Sequence, residues 1–357
     1  MLELYTPFTG LPDLEAKIAF GLVYIARQTP LVEPKDIRIE PLRGYYDIQI
    51  ETDEPQKVLN DLDRALRDVS IRRLCEYVLR RIPGMQPKYI ETYIEHIEGL
   101  KDEKKLINLY QQSSLTKREL KAPSTICGHK ARTKMPGAIL ALSPSIGKLW
   151  LRRDGFEKWE NIKVCRCCFA LALLGFTQYV PIFNVGKPPA IRWVILTPLP
   201  KEVLDGEELD LLASAIKSPP IERIAANIPC ATLLLSIFAY HSHLAEVLSH
   251  KEYAIHIASL SMDRVWKTTG STIMDVAPLV EFIRASSFNA ATVINMIDAI
   301  RRGKGKVEAI ELLNRLLLTR DKRSRTSLFR RFARTYAEIN LLYPDTAKYL
   351  TRWCYGS

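Results

Sequence analysis

Two short clusters of metal-ligand chemistry, Cys127-Gly128-His129 and Cys165-Arg166-Cys167-Cys168, constrain this chain more than any other feature. They hold four of its seven cysteines and one of its six histidines. Cys165 and Cys168 have C-x2-C spacing, which lets two thiolates face one ion from a tight turn. Structural zinc takes four nitrogen or sulfur ligands in a tetrahedron, and Cys127 and His129 are the nearest candidates for the second pair. Their single-residue spacing is tighter than in most zinc modules, and Cys167 is an alternative to Cys165 or Cys168. The competing reading is buried free thiols beside the apolar Phe169–Phe176 segment, where cysteine packs as a small hydrophobe. Under the zinc reading, the chain from 120 to 170 is an insert pinned at both ends.

No export signal is expected at the start, because Asp13, Glu15 and Lys17 interrupt the apolar pattern there. Seven cysteines without export imply a reducing, cytoplasmic compartment, where clustered cysteines favour metal over disulfide. The longest apolar run, Ile224 to Tyr240, contains Asn227, Pro229 and Ser236. It reads as a buried helix, and no membrane is expected as partner.

The spacing of apolar residues then orders the chain. Leu14, Ile18, Leu22 and Ile25 share one helical face, with Asp13 as a cap and Pro30 as a stop. Ile37–Ile39 and Tyr46–Ile50 alternate apolar with polar around Pro41 and Gly44, which predicts a hairpin. Helical periods follow from Val58 to Val78 and from Lys88 to Tyr110, broken near Gly99. Beyond Gln111 the helical period fades. Short strands are expected at 138–142 and 162–164, helix or strand at 169–176, and strands at 179–183 and 191–196. From about Ile221 the chain reads as helical to its end, including 252–262 and 274–300. The expected fold class is α+β: a mixed α/β domain over 1–218 with the Cys/His module at 120–170, and an all-helical basic domain over 219–357.

Charge is concentrated. Between Arg301 and Arg334 stand twelve Lys or Arg against three acids, an excess of nine where the whole chain carries +11. Surplus charge this local is costly in self-repulsion unless a polyanion meets it. Leu312, Leu313, Leu316 and Leu317, then Phe329, Phe332 and Tyr336, give these segments apolar faces, so the cations sit on packed helices. Arg320, Arg323, Arg325, Arg330, Arg331 and Arg334 are the candidate phosphate contacts. Lys130, Arg132, Lys134, Arg152 and Arg153, interleaved with Trp150, Phe156 and Trp159, suggest a second contact surface. Lys187, in the Gly186–Pro189 loop, is a further candidate, against the plainer reading of a proline-stiffened turn. Lys267-Thr268-Thr269-Gly270 reads as a helix-to-helix loop. His241, His243, His250 and His256 read as surface or packed histidines on helices.

Catalytic patterns are missing where they would be expected. His129 is followed by Lys130 and Ala131 rather than by the glutamate of a zinc deaminase. His241-Ser242-His243 is not H-E-x-x-H, and neither phosphate-binding glycine motif is present. A binding protein is therefore expected rather than an enzyme. The alternatives are a zinc-dependent nucleic-acid-processing enzyme that keeps one coordination position open, and a basic scaffold for acidic protein partners.

The layout resembles the large subunit of archaeal type I-A CRISPR interference (Cascade) complexes, the Cas-eight-a family. The likeness rests on the opening Met1-Leu2-Glu3-Leu4-Tyr5-Thr6-Pro7-Phe8-Thr9-Gly10, the helix after it, the Cys127-Gly128-His129 and Cys165–Cys168 pair, and the helical C-terminal third. It implies a non-catalytic subunit of an RNA-guided antiviral assembly that binds guide RNA and target DNA, and helps read a short motif on the duplex. The partners it implies are the backbone subunit, a small helical subunit and the helicase-nuclease. In such systems base pairing supplies sequence, while protein supplies backbone contact and short-motif readout.

Overall fold

The computed structural model describes residues 1–82, 85, 87–111, 126–129, 141–143, 163–185, 192–216, 229–262, 266–279, 296–298, 300, 306–319, 321–336 and 344–355. The fold is α+β, as expected, with two four-stranded antiparallel sheets among the described residues.

The first sheet begins with β1 (Leu2–Tyr5). After the first helix come β2 (Ile37–Leu42) and β3 (Tyr45–Ile50), joined in the expected hairpin. Residues 43 and 44 make the turn, and Gly44 takes φ +89°, the left-handed second central position of a type II turn, which glycine adopts freely and most side chains resist. β1 pairs with β3 on the other side, Leu4 opposite Ile48. A short β6 (Leu204–Asp205) closes the far edge against β2. Leu2, Leu4, Ile37, Ile39, Ile48 and Ile50 are buried on the inner face.

Helix α1 (Pro12–Ala26) lies at the centre of the molecule. It touches β3 of the first sheet, β5 (Arg192–Pro200) of the second, and most extensively the helix α5 (Arg166–Tyr179). Nearly every residue of α1 is buried, which explains why its apolar stripe is wider than one face. Asp13 is not the cap: Leu11 holds that position, and Asp13 is inside the first turn with its side chain fully buried. The two helices meet at glycines. A Cβ on Gly21 would fall 2.0 Å from the Leu171 carbonyl oxygen, and one on Gly175 would fall 1.9 Å from that of Lys17. Phe20 and Tyr179 stack beside this crossing, centroids 4.9 Å apart.

The period from Val58 to Val78 is split into α2 (Pro55–Arg67) and α3 (Val69–Leu79). Asp68 leaves helical geometry and caps α3 by accepting from the Ser70 amide. α4 (Pro87–Glu98) follows, and single turns at 99–102 and 107–110 replace the rest of the expected helix. Asp63 explains the second turn. Its Oδ1 accepts from the Leu106 amide at 2.6 Å and anchors the chain there.

The second sheet is the main departure from expectation. β4 (Ile182–Val185) and β5 (Arg192–Pro200) precede α6 (Gly206–Ile216), α7 (Cys230–Tyr240) and α8 (Ser242–His250). β7 (Tyr253–Met262) and β8 (Trp266–Asp275) come after them. The expected helix at 252–262 is therefore a strand, and Lys267–Gly270 belongs to a strand rather than a helix-to-helix loop. The C-terminal part is not all-helical. β7 pairs with β5 from Arg192↔Ser261 to Pro200↔Tyr253, so this sheet draws on residues from both sides of the boundary expected near Pro219. β7 misled the reading because it is covered on both faces: every residue from Tyr253 to Leu260 is buried, so no polar alternation remains. The expected strand at 179–183 begins later, since Tyr179 ends α5 and β4 starts at Ile182. Helices α9 (Lys306–Leu318), α10 (Lys322–Thr335) and α11 (Pro344–Tyr355) pack consecutively.

Candidate metal centre and basic face

The two Cys/His clusters converge. The Ile126 amide donates to the Lys163 carbonyl at 2.9 Å, which lays the 126–129 turn along the approach to α5. Gly128 takes φ +69°, and the reversal lets Cys127 and His129 present ligand atoms to one point despite their tight spacing. On the other side Cys165 caps α5, its Sγ accepting from the Cys168 amide at 3.3 Å. The first turn of the helix then carries Cys168 back toward it.

The Sγ atoms of Cys127, Cys165 and Cys168 and one ring nitrogen of His129 lie within 4.8 Å of one another. His129 Nδ1 is 3.2 Å from Cys165 Sγ and 3.5 Å from Cys168 Sγ. With zinc–sulfur and zinc–nitrogen bonds of about 2.3 and 2.0 Å, the edges of a tetrahedron are about 3.5–3.8 Å. The four side chains therefore fit a divalent ion of this kind. The three cysteines are buried and His129 is half-buried.

The surroundings treat the three thiols differently. Burial pushes the Cys165 and Cys168 thiols well above their ordinary range. Burial acts on Cys127 too, but hydrogen bonds from Cys165, Cys168 and His129 outweigh it and hold that thiol well below. The Cys165 amide also donates to Cys127 Sγ at 3.3 Å. Backbone amides at a helix start stabilise thiolate. Cys167 is buried but outside the set, so it replaces neither neighbour. Tyr110, which the sequence reading passed over, backs the site: its hydroxyl is 2.9 Å from Cys168 Sγ, and its ring stands edge-on to His129 at 5.4 Å. Arg166, also unmarked, donates to the Gly99 carbonyl at 3.2 Å and pairs with Glu103, fastening α5 to the turn after α4.

A second buried polar group lies deeper. The Lys17 ammonium donates to the Leu142 carbonyl at 2.7 Å and stands 3.7 Å from Asp13, both side chains fully buried. His256 Nδ1 is 3.8 Å from the same carboxylate, and its Nε2 is 2.7 Å from the Ser271 hydroxyl. His256 is thus a packed histidine, as expected, but on β7 rather than on a helix. His241 is buried against Phe183, whereas His243 and His250 are exposed.

The basic residues form a surface on α10. Asp321 caps this helix by accepting from the Ser324 amide at 2.7 Å. Phe329 and Phe332 bury one face. Arg323, Arg330 and Arg334, at i, i+7 and i+11, run along the opposite face, and all are exposed. Arg331 and Lys322 flank them. None of these five cations takes part in an ion pair among the described residues. Arg325 departs from the expectation: it is half-buried on the packed side, next to Cys354 of α11. Arg330 donates to the Tyr355 hydroxyl at 3.2 Å, and α11 adds exposed Lys348 and Arg352. Lys130, Arg132, Lys134, Arg152, Arg153, Lys187 and Arg320 lie outside the described residues.

No described helix is long and apolar enough to cross a membrane. Comparison with curated proteins finds no match. Residues 3–353 match a family model described as CRISPR-associated protein (Cas_Csa4), nearly the whole chain, so this protein belongs to that CRISPR-associated family.

Proposed function

We propose that the protein is a non-catalytic, nucleic-acid-binding large subunit of a type I-A CRISPR surveillance complex. In this reading it acts in the cytoplasm, holds target DNA and guide RNA by their phosphates, and contributes to motif recognition on the duplex in antiviral defence. Its partners are the backbone subunit, the small helical subunit and the helicase-nuclease. Zinc is the ion that Cys127, His129, Cys165 and Cys168 hold, as a brace.

The observation that carries the reading is the Arg323–Arg330–Arg334 row. Three guanidinium groups point outward along one helix face, no carboxylate pairs with them among the described residues, and the opposite face is locked by phenylalanines. A row of exposed cations at helical spacing suits the regular charge of a phosphate backbone, while giving no readout of bases.

Binding of the full chain to duplex and single-stranded oligonucleotides, measured across a salt series, tests this. Replacing Arg323, Arg330 and Arg334 with glutamine is expected to weaken binding uniformly across sequences. It should also flatten the log–log salt slope by about 2–3, close to 0.7–0.9 per lost phosphate contact. An unchanged affinity and slope would reject this face as the footprint.

A further inference from the structure

The outward face of the first sheet carries the opposite charge from α10. In the β1–β3–β2 register Tyr5 is opposite Asp47, Asp47 is opposite Glu40, and Glu3 is opposite Gln49. All alternate with the buried isoleucines and leucines, so they share the outer face. Tyr45 stands at its end, its ring 6.3 Å from Tyr5 and edge-on to it. The chain carries +11 overall, yet Glu3, Glu40 and Asp47 enter no ion pair among the described residues. Arg38, on the same face, is opposite Gln49 and Asp205 and forms no ion pair with the three acids among the described residues; Glu3 accepts from the Tyr5 hydroxyl at 2.6 Å.

Asp47 is the unusual member. It is only 5% exposed, and its Oδ1 has no hydrogen-bond partner. Its Oδ2 shares the Gln49 amide with Glu40, at 2.9 Å to each. Burial first, then the Glu3 and Glu40 charges, raises the Asp47 pKa above the ordinary carboxylate range. An unpaired carboxylate oxygen under neighbouring side chains is costly unless a donor meets it. A bare metal ion does not fit: among the described residues the only group with three or more ligand atoms gathered within 4.8 Å is the Cys/His set. Carboxylates spread along a sheet beside two aromatic rings suit a longer cation instead. A guanidinium stacks on tyrosine and forks onto carboxylates, which an ammonium does less well.

We infer that the outer face of the first sheet, through Glu3, Tyr5, Glu40, Tyr45 and Asp47, docks an arginine-bearing segment of a protein partner. The acids repel a phosphate polymer, so this face and the α10 face sort two kinds of partner by charge. The inference does not depend on α10 binding nucleic acid.

The probe is a fluorescein-labelled peptide alternating arginine and serine, with a citrulline-for-arginine peptide as control, titrated by anisotropy into the full chain. The wild type is expected to bind the arginine peptide and ignore the citrulline one. Glu3→Gln with Glu40→Gln should weaken binding at least about tenfold, as should Asp47→Asn alone, with unchanged circular dichroism and melting. Asp47→Asn is nearly isosteric, so it keeps the test valid if the double variant folds poorly. Affinity within about twofold of wild type in Asp47→Asn overturns the proposal, as does equal binding of the citrulline peptide. Two further arms use the same variants. Loss of single-stranded or duplex oligonucleotide binding would assign the face to nucleic acid. A magnesium or calcium site abolished by Asp47→Asn would assign it to a cation. Either result also sinks it.

Discussion

At the residue scale, the buried Asp13–Lys17 pair is the most consequential feature that periodicity hid. Lys17 sits on the apolar stripe of α1, where a polar residue on a helix is read as the solvent side. Instead it is fully buried and reaches the Leu142 carbonyl. Replacing it with methionine keeps the volume but takes the ammonium from Asp13. The expected cost is about 3–5 kcal/mol in urea denaturation, and pairing the change with Asp13→Asn should recover part of it. Burial lowers the Lys17 pKa from 10.5 to about 8, with Asp13 opposing. Between those values the unfolded chain holds more protons than the folded one, so the Lys17 contribution to stability rises with pH across that window. In the Lys17→Met variant that rise should disappear. The Cys/His cluster that could hold a metal, by contrast, was legible: C-x2-C and a nearby Cys-Gly-His needed only sulfur and imidazole chemistry to be grouped. Tyr110 was not, because nothing in a lone tyrosine signals that its hydroxyl meets a thiol.

At the element scale, the α1–α5 crossing fixes the geometry of the candidate metal centre, because Cys165 and Cys168 ride on the start of α5. Gly21 and Gly175 let the two backbones touch, with no room for a methyl on either. Gly175→Ala should therefore cost at least about 1–3 kcal/mol by thermal or urea unfolding, although alanine is the better helix former. A stabilised variant would refute the crossing as drawn. The elements most readable in the sequence were those with one wet face: the β2–β3 hairpin and the amphipathic helix at 306–318. α10 shows the limit of a charge count. The sequence places Arg325 among its neighbours in a basic run, but helical rotation puts it on the packed side beside α11, leaving Arg323, Arg330 and Arg334 as the row.

At the scale of the whole molecule, the two sheets share α1, and the Cys/His cluster joins the 126–129 turn to α5, which packs on that same helix. Removing the proposed zinc should therefore be felt as a global loss. Zinc analysis is expected to give about one ion per chain, and chelation should lower the melting temperature by several degrees, reversed by zinc. Cys168→Ser should abolish both the stoichiometry and the chelator response; a metal-free chain with unchanged melting would refute the brace. The helical reading of 252–262 and the loop reading of 267–270 failed at this scale as well. A central strand covered on both faces has no alternation to read, and Thr- and Ser-rich β8 resembles a loop until its neighbour is known.

That neighbour imposes a schedule on synthesis. β5 leaves the ribosome roughly 50 residues before β7, the strand that completes it. At about 5–20 residues per second the nascent chain waits some 3–10 seconds with a long apolar strand edge uncovered. Chaperone dependence and aggregation during expression should track the length and tempo of the 201–252 segment more than the stability of the finished fold.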